Sequence, residues 1–189
     1  MDKAQFLSRF VSQVAQQWQP EYPLKQQARQ AAVLIPVIER DKLTLLFTKR
    51  AAHLKHHPGQ ISFPGGRAEP NDLSLKHTAL RETQEEIGLD AQQINVIGQL
   101  PSFKTVSRYQ VTPYVGLIKP PLTLQTDPGE VEDTFEVPLA YLINPQNHLV
   151  EHIQRNGQRF PVNLIQYRNQ SIWGLTAAFI LNLSAILNH

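Results

Sequence analysis

Apolar residues near the start of the chain recur every three or four positions. Five of them stand among polar residues: Phe6, Leu7, Phe10, Val11 and Val14. This spacing predicts an amphipathic helix over residues 3–19, which ends before Pro20 because proline cannot continue a helix. The polar residues 20–30 that follow are expected to form a linking loop.

Short apolar runs rich in β-branched and aromatic residues predict the strands. The predicted strands are residues 31–38, 43–48, 61–63, 94–100, 109–118, 148–153 and 158–166. The polar segment 39–42 is expected to join the first two into a hairpin. Asn156-Gly157 is a strong turn signal and is expected to join the last two in the same way.

The clearest helix signal in the middle of the chain covers residues 75–87. Asp72 or Ser74 can cap its start, and Gly88 stands where a left-handed residue ends a helix. The remaining segments are a short helix over 138–143 with proline in its first turn, a final helix over 175–187, and an acidic loop over 126–132.

Strands mixed with a few helices predict an α/β fold, in which helices cover a mixed sheet. The 189 residues, with no internal repeat, are expected to form one domain over residues 1–189. A net charge of +2 does not indicate a nucleic-acid-binding surface, and the absence of cysteine excludes disulfides and thiolate catalysis. With no signal peptide and no membrane-length apolar run, we expect a cytoplasmic protein.

Three carboxylates gather on one face of the predicted helix 75–87. Glu82 and Glu86 are four residues apart, and Glu85 stands three residues after Glu82. Carboxylates crowded in this way repel one another unless cations sit among them. Hard divalent ions such as Mg²⁺ or Mn²⁺ prefer carboxylate oxygens, and such ions then bridge to phosphates. The adjacent Arg81 has the donors to hold a glutamate in place.

An isolated acidic cluster would be read as a solvated helix face. Here Phe63-Pro64-Gly65-Gly66 stands upstream, at the end of a predicted strand. Glycine lets a backbone approach a ligand or a helix closely. A strand, a glycine turn and a carboxylate helix together predict a site for metal and phosphate, with Gly65 and Gly66 against the substrate.

Residues 66–89 resemble the Nudix box. The matching residues are Gly66 and Arg81-Glu82-Thr83-Gln84-Glu85-Glu86-Ile87-Gly88-Leu89. The chain departs from the family pattern where Thr83 replaces an apolar residue. Asp72 also stands where the family has Glu, and the spacing to Arg81 is one residue longer.

The upstream residues are similar to the coenzyme A diphosphatase branch of that family, which has such a spacing variant. The matching residues are Leu45-Leu46-Phe47-Thr48-Lys49-Arg50-Ala51, Lys55, Gly59 and Phe63-Pro64-Gly65-Gly66. Phe47 is an insertion, and Lys55 replaces an arginine. Two later segments, 130–139 and 172–177, also resemble this branch.

This resemblance implies an α/β/α sandwich around a mixed sheet. The implied reaction is metal-dependent hydrolysis of coenzyme A, or of an acylated or oxidised form, to adenosine 3′,5′-bisphosphate and 4′-phosphopantetheine. Mg²⁺ or Mn²⁺ would be held by Glu82, Glu85 and Glu86, with Arg81 orienting them. The expected partner is a small nucleotide, with no nucleic acid and no membrane, and a homodimer is possible.

The identity of the general base stays open between Glu85 on the helix and Glu130 or Glu132 on the acidic loop. Arg50 and Lys55 are candidates to bind the diphosphate or the ribose 3′-phosphate, because both groups are strongly anionic. The nearby histidines are interpreted as loop residues rather than zinc ligands. They are His53, His56 and His57.

Two other functions compete with the coenzyme A diphosphatase. One is a Nudix hydrolase of another nucleoside diphosphate compound, such as ADP-ribose, a dinucleotide or a nucleoside triphosphate. It would share the catalytic helix and differ in the substrate pocket. The other is a binding module that keeps the fold without catalysis, which would be expected to have lost one of the box glutamates.

Overall fold

A computed structural model describes residues 1–17, 29–105, 107–155 and 157–188. It contains four α-helices within those ranges. The first, α1 (Lys3–Gln17), is the predicted amphipathic helix, of which positions 18 and 19 lie outside the described residues. The others are α2 (Leu75–Ile87), α3 (Leu139–Leu142) and α4 (Gly174–Asn188). Pro138 precedes α3 as its cap instead of lying in its first turn.

The strands form two sheets. In chain order they are β1 (Arg29–Ile38), β2 (Thr44–Arg50), β3 (Ile61–Ser62), β4 (Gly65–Arg67), β5 (Ile94–Gln99), β6 (Phe103–Lys104), β7 (Tyr109–Ile118), β8 (Val131–Pro138), β9 (Leu149–Arg155), β10 (Gln158–Tyr167) and β11 (Gln170–Trp173). The larger sheet has the order β3-β2-β1-β7-β5, and β9 to β11 form the smaller one.

The larger sheet is mixed, as the sequence predicts. Strand β1 runs parallel to β7 along its whole length and antiparallel to β2 and β4. The predicted hairpin of β1 and β2 is confirmed, with Val37 opposite Leu45. The hairpin of β9 and β10 is also confirmed, although Asn156 of its turn lies outside the described residues.

Helices cover both faces of the larger sheet. On one face, Ala79 and Ile87 of α2 pack with Ala32 and Leu34 of β1. On the other face, residues of α1 and α4 share a buried cluster with alternate residues of β1, including Ile35. Successive residues of β1 thus serve opposite layers, which is the side-chain alternation expected of a strand buried on both faces.

Two further predictions from the sequence need correction. The sequence predicted no strand over 131–138, yet β8 pairs with β2 there, so Glu132 lies in a strand instead of the loop 126–132. Only Val131 and Val137 of β8 are buried, which leaves little hydrophobic pattern to detect. Gly65 and Gly66 lie in β4, paired with β1, and the bend precedes them at Pro64.

Trp173, in the segment 172–177 that resembles the coenzyme A branch, is 38% exposed. Strand β11 pairs with β10 and places Trp173 opposite Leu164. Its neighbour Ile172 is fully buried, because alternate residues of a strand face opposite sides. Among the described residues, no helix is both long and apolar enough to cross a membrane.

An aromatic stack links the β2–β3 region to β8. The buried ring of Phe47 lies between those of Phe63 and Phe135, with centroid distances of 4.7 and 5.6 Å. Phe47 is the residue inserted relative to the upstream signature. Its ring fills the core between β2 and β3, which lead into β4, and β8, which follows the acidic loop.

We expect Phe47→Ala to lower the free energy of unfolding by about 3–5 kcal/mol, because it removes a fully buried ring and leaves a cavity. Urea denaturation followed by circular dichroism measures this change. Leu73→Ala is the matched control, since Leu73 is 92% exposed and its truncation should change stability by less than about 0.5 kcal/mol. A similar loss for the two variants would contradict the assigned packing of Phe47.

Candidate active site

Local signals fix the ends of α2. The Ser74 side chain accepts a hydrogen bond from the His77 backbone N–H at 3.2 Å, so Ser74 is the N-cap. Gly88 ends the helix with φ of 70° in the left-handed region, as predicted. Thr83, at the apolar position of the box, is buried, and its hydroxyl donates to the Ala79 carbonyl at 2.6 Å. The helix therefore tolerates this departure without leaving a polar group unpaired.

Strand β4 brings its backbone directly against the acidic face of α2. A Cβ at Gly66 would overlap the carboxylate of Glu82. On the same strand, the Gly65 backbone N–H hydrogen-bonds to Glu86. The two glycines thus allow the close approach that the sequence predicts, although they do so from a strand.

Arg81 is held by several groups around the start of α2. Its Nε and Nη2 donate to the two carboxylate oxygens of Asp72 at 3.0 and 3.1 Å. Its Nη2 lies 2.9 Å from Glu82, and its Nη1 donates to Glu85 at 2.8 Å. Hydrogen bonds from Arg81 lower the pKa of Asp72 to about 2. This geometry supports an orienting role for Arg81, with Asp72 as its anchor.

Glu86 is the most electrostatically constrained residue of the site. Only 4% of it is exposed, and burial raises the pKa of its carboxyl from 4.5 to about 8. The negative charges of Glu130 and Glu82 add to this rise, whereas Arg50 opposes it. Among the described residues, Oε2 of Glu86 is buried without a hydrogen-bond partner.

Glu82 belongs to the same cluster. Desolvation raises its pKa, the ion pair with Arg81 opposes the rise, and the charges of Glu85 and Glu130 add to it. Glu82, Glu86 and Glu130 therefore repel one another across a space that the fold keeps partly dry.

The acidic loop is docked on the C-terminal end of α2. The carbonyls of Glu86 and Ile87 accept hydrogen bonds from the backbone N–H groups of Asp127 and Gln125, at 3.0 and 2.9 Å. These bonds satisfy carbonyls that a helix end leaves free. The Asp127 carbonyl accepts from Glu130 N–H at 3.0 Å, and the turn places Glu130 beside the cluster. Asp127 was not among the residues predicted for the site, although Asp127-Pro128-Gly129 is a recognisable turn signal.

Arg50 and Lys55 have different positions. Arg50 ends β2 opposite Val131, and the next residue, Ala51, donates its N–H to the Glu130 carbonyl at 2.9 Å. Arg50 is also close enough to Glu86 to lower its pKa. Lys55 is exposed on the loop 51–60 that joins β2 to β3. The structure therefore brings Arg50 to the carboxylates and leaves Lys55 at the surface.

The candidate bases also differ. Glu85 is 59% exposed at its side chain and paired with Arg81. Glu132 points away in an exposed pair with Lys49 at 2.7 Å. Glu130 is the candidate that interacts electrostatically with both Glu82 and Glu86.

The residues present fit a divalent cation. Glu86 has a buried, unpartnered oxygen, its neighbours are carboxylates, and all the donors are the hard oxygens that Mg²⁺ and Mn²⁺ prefer. Within the described ranges, no three acidic or histidine side chains converge as a ready-formed cage. Waters and substrate oxygens would therefore complete the coordination, as is usual for Mg²⁺.

We expect Glu86→Gln to stabilise the metal-free protein at alkaline pH. Because the folded pKa of about 8 lies above the ordinary 4.5, the folded state binds the proton more tightly than the unfolded chain. The stability of the wild type then falls as pH rises between these values, whereas glutamine carries no charge to bury. The free energy of unfolding of the variant should exceed that of the wild type by on the order of 2 kcal/mol at pH 9. This difference between the two proteins should become smaller toward pH 5.

Urea denaturation in the presence of a chelator measures this difference. Glu85→Gln is the control on the same helix, and it should show no gain because Glu85 is exposed and paired with Arg81. If Glu86→Gln raised the free energy of unfolding equally at pH 5 and pH 9, the buried charge of Glu86 would not be the cause of the gain.

Comparison with known proteins identifies the family. The NUDIX domain family matches residues 28–156. A protein of Photorhabdus laumondii named uncharacterized Nudix hydrolase NudL is 42% identical over 179 residues, which cover 95% of this chain and 94% of the relative. A family match over more than half of the chain and a relative this similar both establish membership.

Solved structures confirm the fold, a mixed α/β architecture around a mixed sheet. A NUDIX hydrolase from Alicyclobacillus acidocaldarius matches with a TM-score of 0.52 and 17% identity, covering 86% of this chain and 93% of that one. An Ap4A hydrolase from C. elegans matches with a TM-score of 0.50 and 19% identity, covering 58% and 80%. Nudix hydrolases generally use divalent ions such as Mg²⁺ or Mn²⁺. The chain belongs to the Nudix family and is a hydrolase that acts on pyrophosphate bonds.

Proposed function

We propose that this hydrolase cleaves the diphosphate of coenzyme A, or of an acylated or oxidised form. The observation that carries the proposal is the position of Arg50. This residue belongs to the upstream signature that resembles the coenzyme A branch, and it stands beside Glu86 and the Glu130 backbone. A diphosphate can bind a guanidinium and, at the same time, divalent ions held by carboxylates. An arginine at the edge of a carboxylate cluster therefore suits a diphosphate ligand.

Divalent ions held by Glu82, Glu85 and Glu86 would neutralise the diphosphate and lower the pKa of water. Arg50 binds a diphosphate oxygen and aligns the phosphorus for attack. Arg81, anchored by Asp72, fixes the rotamers of Glu82 and Glu85. Lys55 stands on the exposed loop 51–60, where it can meet the diphosphate of a bound substrate.

Glu130 is our preferred proton acceptor. Its carboxylate faces the cluster without the arginine that engages Glu85 or the lysine that engages Glu132. A water oxygen attacks one phosphorus, the phosphoric anhydride P–O bond breaks, and the water proton passes to Glu130. The bridging oxygen leaves with the other phosphate, giving adenosine 3′,5′-bisphosphate and 4′-phosphopantetheine.

The purified protein is expected to convert coenzyme A to these two products in the presence of Mg²⁺ or Mn²⁺. Mass spectrometry of the products provides the measurement. A chelator should abolish turnover, and Glu86→Gln should lower kcat by at least about a hundredfold, because a buried oxygen donor is lost. Glu151→Gln is the matched control, since Glu151 is an exposed carboxylate on β9.

Robust cleavage of ADP-ribose or a dinucleotide, without any cleavage of coenzyme A, would refute coenzyme A as the substrate. The assignment of the protein as a hydrolase would still hold. Absence of turnover for every diphosphate tested would instead favour a non-catalytic binding module.

Gly66→Ala separates catalysis from stability. The new Cβ would overlap the Glu82 carboxylate, which lies at the end of its side chain and can turn away by giving up its pair with Arg81. We therefore expect kcat to fall at least about tenfold, while the free energy of unfolding changes by less than about 1 kcal/mol. Steady-state kinetics and urea denaturation measure the two quantities.

Gly157→Ala is the control with the opposite expected pattern. Gly157 has φ of 77° on the β9–β10 hairpin, and, apart from its chain neighbours, no described residue has an atom within 4 Å of a Cβ placed there. Alanine should cost about 1 kcal/mol of backbone strain without changing kcat. Wild-type kcat in Gly66→Ala would show that the position of Glu82 does not matter for turnover.

A further inference from the structure

Two arginines and a tyrosine meet on the sheet face opposite α2. Arg29 begins β1, Tyr109 begins β7, and Arg67 ends β4. None of the three belongs to the signature or to the acidic cluster. The proposed mechanism therefore assigns no role to these three side chains.

The strand register places the three side chains together. Arg29 is directly opposite Tyr109, and Arg67 is directly opposite Ala31, two residues along β1 from Arg29. Residues opposite one another, or two apart on one strand, face the same side of a sheet. The small side chain of Ala31 leaves room for Arg67 to extend across β1 toward Tyr109.

The contacts confirm this convergence. The Arg29 guanidinium carbon lies 5.8 Å from the centre of the Tyr109 ring. Hydrogen bonding from Arg29, followed by that from Arg67, lowers the pKa of the Tyr109 hydroxyl. Both guanidinium groups therefore lie close to one phenolic oxygen.

Neither arginine is neutralised by an acid in the part of the chain that the structure describes. The ion pairs found there join other residues, including the pairs of Arg40 with Glu136 and Arg81 with Glu82. Arg29 and Arg67 are both exposed, so a ligand can reach them. Two converging, unpaired guanidinium groups repel each other and favour a shared anion.

The cluster is adjacent to the candidate active site. Arg67 directly follows Gly66, where an added Cβ would overlap the Glu82 carboxylate. The Arg67 carbonyl also accepts a hydrogen bond from Arg81 Nη2 at 3.0 Å. The Cα atoms of Gly66 and Arg67 are about 3.8 Å apart. The Arg67 backbone is therefore one residue from the position that adjoins the carboxylate cluster. The Arg67 side chain extends from the face of β4 that is opposite the carboxylate cluster.

We propose that Arg29, Arg67 and Tyr109 form a subsite for a phosphate monoester. The two guanidinium groups donate to its oxygens, and the tyrosine hydroxyl donates a third hydrogen bond. This inference rests on the proposed function, in which the ligand is the 3′-phosphate of coenzyme A. That phosphate is separated from the diphosphate by one ribose, and Arg67, which follows Gly66 on β4, links the subsite to the strand beside the carboxylates.

Comparison of coenzyme A with dephospho-coenzyme A, which lacks only the 3′-phosphate, tests the subsite. Arg67→Gln and Arg29→Gln should each lower kcat/KM for coenzyme A by at least about tenfold, mainly through KM, because each loses a charge-assisted hydrogen bond. The same variants should change kcat/KM for dephospho-coenzyme A by less than about twofold. Arg168→Gln is the matched control, since Arg168 stacks on Tyr167 at 5.3 Å in the turn between β10 and β11.

An equal loss on both substrates, or no loss on either, would overturn the subsite while leaving the coenzyme A activity standing. If the wild type cleaves neither substrate, the proposed function fails, and binding then tests the subsite alone. Isothermal titration should show that adenosine 3′,5′-bisphosphate binds at least about tenfold more tightly than 5′-AMP, and Arg67→Gln should remove this difference. Equal affinities for the two nucleotides in the wild type would overturn the subsite.

Discussion

The buried carboxylate of Glu86 is the constraint on which the site depends. A charge removed from water with an unpartnered oxygen destabilises the fold unless a cation or a proton compensates it. The fold nevertheless retains this arrangement, because α2 packs its apolar residues Ala79 and Ile87 against β1 and carries Glu86 inward with them. Hydrophobic packing of the helix therefore supplies the free energy that keeps this acidic group buried, where a divalent ion would compensate its charge.

The surrounding residues limit how far this charge can relax. On one side, β4 approaches so closely that Gly66 has no room for a side chain beside Glu82. At the helix end, the loop that carries Glu130 is hydrogen-bonded to the last carbonyls of α2 through Asp127. Backbone contacts thus fix the spacing of the carboxylates, so their mutual repulsion cannot be relieved by a small shift of either element.

Local signals made part of this arrangement predictable from the sequence. The span of α2, one of its two candidate caps (Ser74) and its terminal Gly88 are each encoded within a few residues, and all three were confirmed. Strand β8 was missed because two of its residues alone are buried, and its stability comes from pairing with the distant β2. The approach of Arg50 to Glu86 depends on the same long-range pairing, so the family resemblance could suggest it but local pattern could not.

The strand β4 also explains how one substrate could be held at two charged points. Successive residues of a strand face opposite sides, so Gly66 opens toward α2 while Arg67 extends toward Tyr109 on the other face. A ligand lying across this strand would meet cation-binding carboxylates at one end and free guanidinium groups at the other. Charges of opposite sign are kept apart by the backbone of β4, so the arginines are not consumed in ion pairs with the glutamates. This separation would let one site bind metal and anion together, because neither set of side chains neutralises the other.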